Sequence, residues 1–94
     1  MISCEGAHCR ITGAVTMRTV TDALAESERL FDQPHVVVDL GGITELDSSA
    51  ISLLLEWRRA AQAAKRRVDF VNLPSNLKSL ADLYGVSELL DARA

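Results

Sequence analysis

Apolar residues recur along this chain with two different periods, and the changes of period mark its elements. Ile2 to Glu5 and His8 to Gly13 alternate apolar and polar side chains, as short half-buried strands do. Gly6-Ala7 joins them, and a glycine at the first central position suits a two-residue hairpin turn. In that register Cys4 faces Cys9, and Ile2 shares a face with Ile11. From Met17 to Phe31 the period becomes helical. Val20, Leu24, either Ser27 or Glu28, and Phe31 form a stripe that Ala23 and Leu30 widen. Asp32-Gln33-Pro34 breaks this helix, since proline removes a donor and restricts the residue before it.

His35 to Leu40 is nearly all apolar and β-branched, which predicts a central strand covered on both faces, and Gly41-Gly42 ends it. A second helix is expected from about Ser48 to Lys65. Its stripe of Ala50, Leu54, Trp57, Ala61 and Ala64 should face a sheet. Ile51, Leu53 and Leu55 lie off that stripe. They are either a wide core-facing sector or an exposed apolar edge that docks a partner. Arg67 to Leu73 reads as a further strand, with Val68, Phe70 and Asn72 on one face and Val71 and Leu73 on the other. Pro74-Ser75 opens a third helix, Asn76 to Tyr84, closed by Gly85 in the left-handed conformation. Val86 to Leu90 is a short strand or a last helical turn. The order ββαβαβα predicts an α/β fold, a mixed sheet with parallel crossovers, and allows every helix on one face.

Composition narrows the function. The chain has 94 residues, expected to form one domain spanning 1–94. Its net charge of −3 argues against a nucleic-acid partner. The cluster Lys65-Arg66-Arg67 reads as a cationic helix C-terminus complementing the dipole. No run approaches the ~18 apolar residues of a membrane span, and the N-terminus lacks the pattern of a signal peptide. A cytoplasmic protein without direct membrane insertion is therefore expected. In that compartment Cys4 and Cys9 read as two small reduced core residues rather than a redox pair. No phosphate-cradling loop, nucleophile elbow, defensible carboxylate pair or metal-ligand spacing is present. No cofactor, no metal and no enzymatic activity are expected.

The chemistry that remains is Asp47-Ser48-Ser49 at the start of the second helix, where free backbone N–H groups and the positive dipole end gather. Asp47 is expected to cap the helix. One cap does not need three such residues, so the adjacent hydroxyls are either redundant or read by a phosphate or a partner. Tyr84, the only tyrosine, either closes the core or stands at the surface as an anchor.

The run Val36-Val37-Val38-Asp39-Leu40-Gly41-Gly42-Ile43-Thr44-Glu45-Leu46-Asp47-Ser48-Ser49-Ala50, followed by a leucine-rich helix, resembles the STAS domain (sulfate transporter and anti-sigma factor antagonist). The likeness covers nearly the whole chain. Leu53-Leu54-Leu55-Glu56-Trp57 and Leu80-Ala81-Asp82-Leu83-Tyr84-Gly85-Val86 resemble the MlaB type in particular. That resemblance implies a non-enzymatic subunit bound to the cytoplasmic, MlaF-like ATPase of an ABC transporter, peripheral to the inner membrane and supporting phospholipid transport. There the hydroxyl residue after the aspartate faces the ATPase, and Ser48 matches it. The anti-sigma factor antagonist branch implies instead a partner kinase that phosphorylates the serine matched by Ser49. That branch usually has glycine next, where this chain has Ala50. The expected partner surface is Ser48, Ser49, Ile51, Leu55, Leu83 and Tyr84, because helices that follow consecutive strands of one sheet should be neighbours.

Overall fold

The computed structural model describes residues 1–90. Its elements are β1 (Ile2–Glu5), β2 (His8–Val15), α1 (Val20–Leu30), β3 (His35–Leu46), α2 (Ser49–Ala63), β4 (Arg67–Val71), α3 (Ser75–Leu83) and a closing turn α4 (Ser87–Leu90). The sheet order is β1-β2-β3-β4. β1 runs antiparallel to β2, with Cys4 opposite Cys9, and the β2–β3 and β3–β4 pairs are parallel. This is the expected mixed sheet, and the segment after Gly85 is helical rather than a strand.

One face of the sheet makes the core. Cys9, Ile11, Val36, Val38, Val68 and Phe70 alternate inward along their strands and are buried. From the helices, Ala23, Ala50, Leu53, Leu54, Trp57 and Leu77 cover them. The other face carries His8, Arg10 and Thr12 on β2, with Asp39 on β3 and Asp69 on β4. Full apolar coverage of β3 is thus corrected: the helices lie on one side. On the other, Arg10 pairs with Asp39 at 3.3 Å, and His35 and Arg67 both reach Asp69.

β3 also differs in length. Gly41-Gly42 does not end it; the strand continues to Leu46 beside β2, with register shifts between Arg10 and Thr12 and between Gly13 and Ala14. The glycines allow this close approach. A Cβ on Gly42 would lie 2.7 Å from the Ile11 carbonyl oxygen, and one on Gly41 would lie 3.1 Å from an Asp39 carboxylate oxygen. β2 is likewise two residues longer than its alternation suggests, and α1 starts three residues later, at Val20.

Two helices end in the same way. At α3 the N–H of Val86 reaches the Ala81 carbonyl, the Gly85 N–H reaches that of Asp82, and Gly85 has φ +69°. At α2 Arg66 and Lys65 repeat the pattern onto Ala61 and Gln62, with Lys65 at φ 58°. The Arg66 guanidinium donates to the carbonyl of Phe31 at 2.6 Å, so it closes the end of α1 rather than of its own helix.

The polar position in the α1 stripe is Ser27, which is buried. It accepts the Trp57 indole N–H at 2.8 Å and donates to the Leu24 carbonyl at 2.7 Å, while Phe31 meets the Trp57 ring edge-on at 5.0 Å. Ser27→Ala is expected to cost about 1–3 kcal/mol by leaving the indole donor unpaired. Urea unfolding monitored through Trp57 fluorescence measures this. A change below about 0.5 kcal/mol would show that the bond contributes nothing net.

The cysteines depart from expectation. Their register is as read, but Cys4 and Cys9 are joined as a disulfide rather than packed as two reduced thiols. The two-residue hairpin holds them directly opposite, within bonding reach, and periodicity does not report oxidation state.

Candidate functional site

The start of α2 is built around one carboxylate. β3 delivers Asp47 to the end of the sheet, where one of its oxygens accepts the Ser49 backbone N–H at 2.9 Å and the Ser49 hydroxyl. The other accepts the Met17 backbone N–H at 3.1 Å, tying the β2–α1 loop to the α2 start. Satisfying an early helical N–H from a side-chain oxygen is what a cap does, and here the acid rather than a serine provides it. Ser48 makes no side-chain cap hydrogen bond and is exposed. Of the two hydroxyls, Ser49 is engaged and half-buried, and Ser48 faces outward.

The Ser49 hydroxyl, then the Met17 and Ser49 N–H groups, hold the Asp47 carboxyl below its ordinary value. Asp39 is lowered as well, chiefly by the Gly41 N–H at 2.8 Å, against the opposing effect of burial and with help from Asn72 and Arg10. A carboxylate whose folded value is depressed stabilises the fold above its unfolded value, and that contribution disappears as pH falls through the folded value. The unfolding temperature is therefore expected to hold near neutrality and to fall below about pH 5. Asp39→Asn should flatten the profile; an unchanged acid slope would mean Asp39 takes no part.

The other expected contact residues separate into three groups. Ile51 is only 5% exposed and belongs to the core, so it is not a surface residue as expected. Leu55 is half-buried against the core. The extra apolar positions of α2 are thus mostly a wide core-facing sector, because α2 touches β4, α1 and α3 and must be apolar toward each. Leu83 and Tyr84, at the end of α3, are 76% and 53% exposed. They lie on an element that packs on α2, and no hydrogen bond or ring contact among the described residues joins them to Ser48. One residue was missed. The helix expected from Met17 begins instead at Val20, and Met17 sits in the loop bound to Asp47 and is 79% exposed. No pattern in the sequence signals it, because the tether is a backbone N–H.

A mixed four-stranded sheet with helices on one face, and a hydroxyl-bearing helix start at the end of its third strand, defines a STAS fold. The chain belongs to the MlaB-type STAS family: residues 2–91 match the family described as "Mlab, STAS domain". Its fold is also that of the anti-sigma factor antagonist SpoIIAA in its unphosphorylated form. The TM-score is 0.73 at 17% identity, over 94% of this chain and 82% of that one. No curated protein matches the chain. Among the described residues no helix is long and apolar enough to cross a membrane, and no cluster of potential metal ligands occurs.

Proposed function

We propose that this chain is a non-catalytic STAS subunit that docks on the cytoplasmic ATPase of an Mla-type ABC transporter and supports phospholipid transport for outer-membrane lipid asymmetry. The observation that carries the reading is the MlaB-type family match over residues 2–91. The exposed pair Leu83 and Tyr84, within the segment that resembles that type, supports it. The docking surface combines Ser48 with Leu83 and Tyr84, with Met17 and Leu55 at its margins and Ser49 ordered beneath it by Asp47. Large apolar residues left in water on a small domain are what a partner covers.

Affinity capture of the tagged chain from its native host tests the reading. An ABC ATPase should be retained, and Tyr84→Ala should weaken that complex by about 2 kcal/mol if the ring is an anchor. Capture of an anti-sigma kinase in its place would overturn it.

The second reading, an anti-sigma factor antagonist switched at Ser49, draws on the fold it shares with SpoIIAA. Phosphate on Ser49 would remove the hydroxyl that donates to Asp47 and set roughly two negative charges beside that carboxylate. Intact-mass analysis of the native protein separates the two readings: the transporter reading expects Ser49 unmodified, and a phosphorylated fraction at Ser49 supports the switch.

A further inference from the structure

At the opposite end of the domain from Ser48, the C-terminal half of α2 changes character. Its first half is leucine-rich, whereas Ala60, Ala61, Ala63 and Ala64 follow Trp57. Short side chains there leave a cavity of about 250 Å³ between the ends of α1 and α2 and the first residues of β3 and β4. Val36, Trp57 and Val68 form its buried floor, and Phe31, Ala61 and Ala64 form its walls. Glu28, Gln33, Arg66 and Arg67 stand at its rim. A second, polar recess of about 400 Å³ adjoins it and shares Ala61, Arg66, Arg67 and Val68. Arg58, Gln62 and Asp69 complete that recess, in which Asp69 is paired with Arg67.

We propose that these adjoining spaces form one binding site for a small anionic amphiphile, its apolar body over Trp57 and its carboxylate or phosphate head beside the arginines. The proposal is independent of the docking reading, since it uses the other end of the domain. Two observations carry it together: an apolar hollow of this size, and cationic charge concentrated on one side of its mouth. At the ~30 Å³ that a water molecule claims in the liquid, the hollow is on the order of eight waters in size. That suits a medium-length chain or a single substituted ring, and not a two-chain lipid. The head group has donors to meet. Arg66 donates to the Phe31 carbonyl and Arg67 pairs with Asp69, but a guanidinium carries five N–H groups in a fork that matches carboxylate and phosphate. Glu28 on the opposite rim disfavours an anion there, which orients the head toward α2 and β4.

Trp57, the only tryptophan, lies on the floor and reports occupancy directly. The test is a fluorescence titration of the whole chain with octanoate, held below its micelle concentration. Two arms run beside it: octyltrimethylammonium, with the same tail and opposite charge, and inorganic phosphate, a head without a tail. Octanoate should give a saturable change, with the other two at least tenfold weaker. Octyl phosphate in place of octanoate distinguishes which head is preferred. Arg66→Gln should weaken octanoate at least tenfold, and Ala64→Leu, at the exposed position just after α2, should abolish binding by filling the hollow. Circular dichroism establishes that both variants are folded, and Ala60→Leu replaces Ala64→Leu if that variant is not. Equal response to the cationic and anionic amphiphiles, or no saturable response to either octanoate or octyl phosphate, overturns the proposal. So does a folded Ala64→Leu or Ala60→Leu variant that binds octanoate as the parent does.

Discussion

Phe70→Ala is expected to lower the stability of the domain by about 3–5 kcal/mol, the largest effect of any single truncation proposed for this chain. Phe70 is 2% exposed and sits on β4, where its backbone is in register with Val38 of β3. β4 is an edge strand of five residues, paired on one side only. Its inward side chains therefore do much of the work of holding it against α2. Loss of the ring removes apolar area and leaves a cavity that the surrounding helices cannot fully collapse. A domain of this kind is stable by only about 5–15 kcal/mol, so the variant should lose a large fraction of its stability. Val71→Ala, half-buried on the opposite face, is the matched control and should cost less than half as much. Urea unfolding at neutral pH measures both. A loss below about 1.5 kcal/mol for Phe70→Ala would mean that the ring does not span the β4–α2 interface as described.

The alternation that marks Phe70 as a core residue is readable because β4 obeys one period from Arg67 to Val71; the expected continuation to Leu73 fails at Asn72, whose φ of 57° ends the strand and whose amide donates to Asp39 on the other face. β3 was only half readable for the opposite reason. Its first six residues are mostly apolar and include Val36, Val37 and Val38 in a row, but its second half contains Gly41, Gly42 and Glu45, and its pairing to β2 passes through bulges. That half stays extended by pairing to β2 as far as Leu46, and Gly42 permits the approach to the Ile11 carbonyl; this is a tertiary arrangement that no local pattern encodes. The candidate site divides in the same way. Asp47, Ser48 and Ser49 were legible because capping chemistry is local. Met17 was not, because its link to the site spans thirty residues through a backbone N–H. Ile51 is buried rather than exposed because a helix packed on β4, α1, α3 and α4 has a wider apolar sector than a helix packed on a sheet alone. The facing of Cys4 and Cys9 followed from turn geometry, whereas the bond between them did not, since oxidation state is a property of chemistry and compartment.

On the proposed docking reading, Ser48→Arg is expected to abolish capture of the ATPase while leaving the fold intact, and the two halves of that expectation rest on different observations. The fold survives because Ser48 makes no side-chain hydrogen bond at the helix start; Asp47 still holds the Ser49 and Met17 N–H groups in the variant. Its unfolding midpoint should therefore match the parent's within about 0.5 kcal/mol, as for a surface substitution. Binding fails because a compact hydroxyl facing a partner is replaced by a long cation that the interface must either exclude by steric bulk or desolvate without a counter-charge. Asp47 is close in sequence, but its oxygens are already committed to Ser49 and Met17. An unpaired charge in a dry interface costs about 3 kcal/mol or more, enough to weaken the complex at least a hundredfold. Ser48→Ala removes the hydroxyl without adding bulk or charge and should bind nearly as the parent does, which separates exclusion from loss of a hydrogen bond. Both variants are measured by titration against the purified ATPase captured with the parent chain. A Ser48→Arg protein that binds as tightly as the parent would move the interface away from the α2 start and leave Leu83 and Tyr84 as its remaining anchors. If the arginine variant instead unfolds, Asp47 alone does not hold this helix start, and the independence of cap and docking surface fails with it.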